Sequence, residues 1–262
     1  MSGFANDYLE GYDLTVILEA RGLTRTFTAA DQTVRALTNV SFDVEQGEFI
    51  VIIGASGSGK SVLLHCLGGI DRPTSGAIVI AGQDLTGLSE RNLTVFRREQ
   101  IGFVFQYLNL IPSLSVYENI TLPFIVSGRI GKEQQERADD MVELFGLRGR
   151  ERRPVTLLSA GEQQRVAIAR AFITEPALVI ADEPTGSLDA RTGIEILQLL
   201  WESCDNFGQT MVLVTHDARV AAFADKVLII KDGSLVDELR LGRRQEHSDA
   251  RPIIDRLQEL DI

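Results

Sequence analysis

Apolar and polar positions change their period several times along this chain, and each change marks an element. Val40, Phe42 and Val44 alternate with Ser41, Asp43 and Glu45 and run into Gly47, the period-two pattern of a half-buried strand before a turn. An antiparallel β region is therefore expected near the start. Phe49-Ile50-Val51-Ile52-Ile53, Leu178-Val179-Ile180 and Met211-Val212-Leu213-Val214 are continuously apolar and rich in β-branched residues. Strands buried on both faces read this way, so the three are expected as central parallel strands. Between them, Ala138, Met141, Val142 and Phe145 fall at i, i+3, i+4 and i+7, and Ile194, Leu197, Trp201 and Cys204 keep a similar helical stripe. The alternation is that of an α/β fold.

From Tyr107 to Ser159 strand signals give way to helix signals interrupted by Pro112, Pro123 and Pro154, which predicts a helical subdomain inserted into the α/β core. Val227 to Lys231, Asp232-Gly233 and Leu235-Val236 read as a hairpin through a two-residue turn that requires positive φ. The run from Arg243-Arg244 to Asp249 is polar and expected to be loose. Beyond Pro252, Ile253, Leu257 and Leu260 sit at helical spacing and predict a short amphipathic tail helix. The expected division is an N-terminal extension (1–15), a main domain (16–240) with its core at 16–106 and 160–240 around a helical subdomain (107–159), and a tail (241–262).

Composition narrows the function. Lys plus Arg number 26 against 37 Asp plus Glu, a net charge of -11, so a nonspecific grip on nucleic acid phosphates has little support. Apolar runs are strand-sized, far short of the roughly 20 residues of a membrane helix. The first residues carry acidic and no basic side chains, unlike a secretory signal, so a cytoplasmic location is the expectation. Cys66 and Cys204 lie among apolar neighbours and read as buried thiols.

Gly54-Ala55-Ser56-Gly57-Ser58-Gly59-Lys60-Ser61 matches the phosphate-loop pattern, with an apolar strand before it and the helix-like Val62 to Leu67 after it. Gly54, Ser56, Gly57, Ser58 and Gly59 let backbone N–H groups converge on phosphate oxygens, and a helix starting near Gly59 points its positive end at them. Lys60 adds a full charge for the β and γ phosphates, and Ser61 offers a hydroxyl to Mg²⁺. Leu178 to Asp182 is an apolar strand ending in a carboxylate, expected as a second Mg²⁺ contact. Glu183 beside it is suited to accept a proton from the attacking water.

Leu158-Ser159-Ala160-Gly161-Glu162-Gln163-Gln164-Arg165 lies upstream of this acidic pair, and the order resembles the ATPase subunit of an ATP-binding cassette (ABC) transporter. The likeness runs from about Val16 to Val236. Glu183-Pro184-Thr185-Gly186-Ser187-Leu188-Asp189 and Glu162 to Ala171 resemble the macrolide-exporter and lipoprotein-release branch. The resemblance implies a P-loop NTPase (RecA-like) core, ATP and Mg²⁺ as ligands, and a second identical subunit paired head to tail. Ser159 and Gly161 of one subunit would reach the γ phosphate held by the other. Ser159 and Glu162 are also spaced as a capping box, so the same residues start a helix. Ala160 stands where the family more often has glycine, and an ordinary helical φ is expected there.

By the same resemblance Gln106 is the glutamine that reaches Mg²⁺ and the attacking water, His216 holds the γ phosphate, Asp189 communicates across the dimer, and Phe27 stacks on adenine. His65 and His247 match no motif and are read as structural. Pro154 lies five residues before Ser159 where relatives tend to have it four before, which predicts a small insertion. Arg148, Arg150, Arg152 and Arg153 read as a solvated face. The resemblance also implies that the segment just after Gln106, Tyr107 to Asn119, docks an integral membrane permease; it holds more apolar surface than a solvated loop needs, and packing inside the helical subdomain is the alternative. The expected function is therefore an ATP hydrolase driving such a permease from its cytoplasmic side. The alternative is a regulatory ATPase of the cell-division type that acts through a membrane partner without transport.

Overall fold

The computed structural model describes residues 16–29, 32–129, 131–242 and 249–262. The N-terminal extension and the polar run that contains His247 lie outside the described residues. Two long antiparallel strands come first, β1 (Val16–Ala29) and β2 (Gln32–Glu45), and Val40, Phe42 and Val44 of β2 are buried as their alternation predicts. Then follow β3 (Phe49–Ile53), α1 (Lys60–Leu67), β4 (Ser75–Ile80), β5 (Gln83–Asp84), α2 (Glu90–Gln100) and β6 (Ile101–Val104). The helical stretch holds α3 (Val116–Ser127), α4 (Lys132–Leu144) and a single 3-10 turn at Val155–Leu157. Alternation resumes with α5 (Ala160–Phe172), β7 (Leu178–Asp182), α6 (Ala190–Phe207), β8 (Thr210–Thr215) and α7 (Ala218–Ala221). The hairpin β9 (Lys226–Lys231) and β10 (Ser234–Arg240) and the tail helix α8 (Arg251–Glu259) complete the chain.

The strands form two sheets. One is antiparallel, in the order β2-β1-β4-β5; the other runs β10-β9-β3-β8-β7-β6 and is parallel except for β10. Side chains along a strand point alternately to opposite faces. Phe49, Val51 and Ile53 accordingly enter a core shared with α3 to α8, while Ile50 and Ile52 enter a second core shared with the antiparallel sheet and α1. The same alternation holds in β7, β8 and β9, which is why those runs are apolar at every position.

Ala138, Met141, Val142 and Phe145 are buried as predicted, but the stripe read on α6 begins differently. Ile194 is 50% exposed, and Gly193 takes the inward position against Thr185. Leu197 and Cys204 do face the core. The predicted turn at Asp232-Gly233 has φ of 47° and 76°, as a two-residue hairpin loop requires.

The loop between β6 and α3 is better anchored than its sequence indicates. Buried Asn119 accepts from the Ile111 N–H (2.8 Å) and donates to the carbonyls of Ile111, Leu114 and Ser115. Leu110 and Tyr117 pack against the core and Val116 is fully buried, as the packing alternative expects, whereas Tyr107, at 81% exposure, and Ile111 face outward. The tail helix docks. Ile253 is fully buried, Arg256 pairs with Asp237, and Lys231 Nζ donates to the Leu260 carbonyl.

Candidate active site

Parallel strands bring their carboxyl ends to one edge of the sheet, and in such sheets ligands bind at that edge. Here the loop after β3 carries residues 54–61, β6 leads to Gln106, β7 ends in Asp182 followed by Glu183, and β8 leads to His216. Ile53 is in register with Thr215, and Asp182 with Val214, so these ends are level. A cavity of about 860 Å³ opens there, lined by Ser56, Gly57, Gly59, Lys60, Ser61, Gln106, Glu183 and His216 together with residues 34–36 and 232–233.

The loop's conformation depends on its glycines. A Cβ at Gly54 would lie 2.1 Å from the Ile230 carbonyl oxygen, and Gly59, at φ 99°, would meet Ala36 O at 2.4 Å. Gly59 is the N-cap of α1 and supplies no capping side chain, so the first-turn N–H groups of this helix remain available to an anion. Lys60 is 8% exposed and donates to the carbonyls of Gly54 and Ala55, both at 2.9 Å. An ammonium has three donors, so one is left for a phosphate oxygen. Burial lowers the Lys60 pKa, an effect opposed by Glu183 and Asp182. Ser58 Oγ is buried without a partner among the described residues, a further donor that a phosphate would satisfy.

Ser61 Oγ lies 3.4 Å from Asp182 Oδ1. Burial raises the Asp182 pKa, while Ser61, His65 and Lys60 act in the opposite direction. Among the described residues no three His, Cys, Asp or Glu side chains cluster as a metal site. A hydroxyl and a single carboxylate fit Mg²⁺, which keeps waters and substrate phosphates as its remaining ligands.

Glu183 has φ 43°, a left-handed conformation that a non-glycine residue adopts at a cost and that often marks a functional position. Its backbone N–H donates to Val214 O (2.9 Å), its Oε2 accepts from Thr215 Oγ1 (3.1 Å), and its Oε1 lies 2.7 Å from His216 Nδ1. The carboxylate is thus held on both oxygens beside the cavity. Thr215 is a site residue that motif reading passed over; its position at the end of β8, just before His216, was the available signal.

Other predicted residues stand elsewhere. Ser159 and Gly161 do not line this cavity. Ser159 caps α5 in a reciprocal box with Glu162, and Ala160 has helical geometry, as expected. A Cβ at Gly161 would lie 2.8 Å from Thr192 Cγ2, so the starts of α5 and α6 touch. Asp189 caps α6 through the Arg191 and Thr192 N–H groups and lines a neighbouring cavity of about 600 Å³ with Glu183 and His216. Phe27 is 41% exposed, paired across the strands with the cavity-lining Val34, and carries the Arg25 guanidinium 4.4 Å from its ring centroid. The arginine cluster is not wholly a solvated face, because Arg150 pairs with Glu162 of the capping box. Cys66 and Cys204 are buried, and burial pushes the Cys66 thiol up to about 12. His65 projects from α1 and takes no part in the cavity wall.

A family profile described as "ABC transporter" matches residues 37–186. The chain belongs to the ABC transporter family. It is 41% identical over 230 residues to the ABC transporter ATP-binding protein MJ0796 of Methanocaldococcus jannaschii, covering 86% of this chain and 97% of that protein. It is 44% identical over 219 residues to a macrolide export ATP-binding/permease protein, MacB, of Rhodopseudomonas palustris, covering 84% of this chain but 33% of that protein. The chain therefore spans about a third of its MacB relative and nearly all of the other. A solved dimeric ATP-binding cassette bound to ADP and Pi superposes with a TM-score of 0.79 at 40% identity, covering 86% of this chain and 99% of that one. This ABC chain is an ATP-binding, ATP-hydrolysing cassette with a P-loop NTPase fold. No helix among its described residues is long and apolar enough to cross a membrane.

Proposed function

We propose that two copies of this cassette close head to tail over two ATP molecules and use their hydrolysis to drive an integral membrane permease from the cytoplasmic side. The observation that carries the reading is the carboxylate of Glu183, fixed by Thr215 and His216 at the wall of the cavity that also holds Lys60 and Gln106. Lys60 and the loop N–H groups would bind the phosphates, and Glu183 would take the proton of the attacking water. Mg²⁺ held by Ser61, with Asp182 and Gln106 nearby, would neutralise charge on the phosphates. Phe27 is assigned to adenine, while Ser159 and Gly161 act at the partner's nucleotide and Asp189 communicates across the dimer. The dimeric relative supports pairing, and the MacB relative, named for both ATP-binding and permease parts, supports a membrane partner. The net charge of -11 argues against a nucleic acid partner.

Glu183→Gln keeps the shape of the side chain but removes the base, so it should bind ATP, lose hydrolysis by about 10²- to 10⁴-fold, and accumulate as a dimer. Light scattering of this variant in saturating ATP and Mg²⁺ tests the reading, and a monomer there would overturn the paired mechanism. Ser159→Arg in the same background should abolish the dimer while the monomer still binds ATP.

A further inference from the structure

Arg170 has no role in the site as described, yet it occupies an unusual place. It lies near the end of α5, the helix that begins beside Ser159, and its guanidinium donates to two consecutive carbonyls, Leu108 and Asn109, each at 2.7 Å. Those residues follow Gln106 on the cavity wall. No carboxylate pairs with Arg170 among the described residues, and burial lowers its pKa. A guanidinium partly withdrawn from water without a counter-charge carries a cost that an apolar side chain in the same place would not. What only arginine provides is a rigid planar fork that spans two acceptors at once.

The loop it grips is itself constrained. Asn109 has φ 48°, its N–H donates to the Tyr107 carbonyl, and two residues further on the Asn119 side chain ties down Ile111. The segment after Gln106 is thus a fixed shape that Arg170 ties to α5 by two hydrogen bonds. Along α5, the eleven residues from Arg170 back to Ser159 span about 16 Å at the rise of an α-helix. A shift of the Gln106 loop in one nucleotide site would move the Ser159 end of a rigid rod.

We infer that Arg170 is a positioning residue that makes the loop behind Gln106 and the helix beginning at Ser159 move as one body, linking a subunit's own nucleotide site to the surface it presents to its partner's. The inference rests on the proposed function for what the two ends touch. The link itself is the pair of hydrogen bonds.

Hydrogen exchange on the full chain, with and without a non-hydrolysable ATP analogue and Mg²⁺, tests it. In the wild type, nucleotide should raise protection at 54–61, 106–111 and 159–163. In Arg170→Met the first two responses should persist and the third should be lost, with kcat down about tenfold or more and nucleotide affinity of the monomer within about twofold. Arg170→Lys, which keeps the charge and can reach one carbonyl, should be intermediate, and it supplies the reading if the methionine variant does not fold. Unchanged responses at 159–163 in a folded variant would overturn the inference. So would parallel loss of all three, which would mean that Arg170 only supports the fold. Absence of protection at 54–61 in the wild type would fail the proposed function instead. The link would then be read without nucleotide, where Arg170→Met must raise exchange at 106–111 and 159–163 together, and exchange equal to wild type would overturn it.

Discussion

Glu183 Oε1 lies 2.7 Å from His216 Nδ1, across the ends of the adjacent strands β7 and β8. The contact exists because Asp182 and Val214 are in register, so the residues that follow each strand emerge side by side. His216 is largely exposed, with 70% of its side chain accessible, whereas Glu183 retains 15%. Both side chains line the cavity, the histidine as the more open of the two.

This geometry separates the two supports of Glu183. Thr215→Val removes one hydrogen bond of about 1 kcal/mol and should slow hydrolysis about fivefold. His216→Ala removes a support that also faces substrate, and hydrolysis should fall at least tenfold further, with ATP affinity little changed. Steady-state rates and equilibrium nucleotide binding check both. Equal losses in the two variants would assign His216 to orienting Glu183 alone.

Lys60→Ala removes the cation nearest the phosphates and also frees the Gly54 and Ala55 carbonyls it holds. A charge-assisted contact is worth about 1.5–3 kcal/mol, so ATP affinity should drop between about tenfold and 150-fold by calorimetry. Unchanged affinity would remove residues 54–61 from the nucleotide site.

Much of this site was legible in the sequence because its chemistry is local. The run from Gly54 to Ser61 must be glycine-rich wherever it occurs, since a Cβ at 54 or 59 would strike backbone. Asp182 and Glu183 stand at the end of an apolar run that only a buried strand explains. What stayed hidden depends on contacts between distant segments. Thr215 looks like any strand threonine until Glu183 is seen beside it, and Arg170 reads as one more helical arginine until the loop at 108–109 is found under it. The apolar residues from Tyr107 to Tyr117 left docking and packing both open for the same reason, because sequence cannot show that Asn119 folds the loop back and buries part of it.

Asp182 gives a prediction in pH. Burial raises its pKa, so its ionised form is less favourable in the folded chain than in the unfolded one. The stability tied to this group is complete below its unfolded pKa, about 3.9, and is lost as pH rises through the higher folded value. Asp182→Asn does not ionise, so the ligand-free variant should melt above the wild type at pH 7, and the gap should close as pH falls toward 4. With ATP and Mg²⁺ the order should reverse, because ligand stabilisation grows with affinity and the variant lacks the carboxylate. Thermal melts with and without nucleotide check both signs. A ligand-free variant that melts below the wild type at pH 7 would contradict the argument.

The tail helix extends the same reasoning to the back of the site. Ile253 is fully buried in the core that also holds Val220, Ala221 and Ala222, and α7, which contains Val220 and Ala221, begins two residues after His216. Arg256 adds an ion pair to Asp237, but both side chains are partly exposed, 38% and 24%, so solvent screens the pair and its contribution is small. Burial of Ile253 is the larger effect, since removing such a side chain to alanine costs about 2–5 kcal/mol. Ile253→Ala should therefore lower the melting temperature by several degrees, whereas Arg256→Ala should lower it by clearly less. Because α8 supports α7 and α7 follows His216, Ile253→Ala should also reduce kcat more than ATP affinity. Melting curves and steady-state kinetics on the two variants decide it. If Ile253→Ala destabilised the chain with kcat intact, α8 would hold the fold without reaching the histidine, and if Arg256→Ala proved equally damaging, the ion pair rather than the buried isoleucine would be what holds the tail.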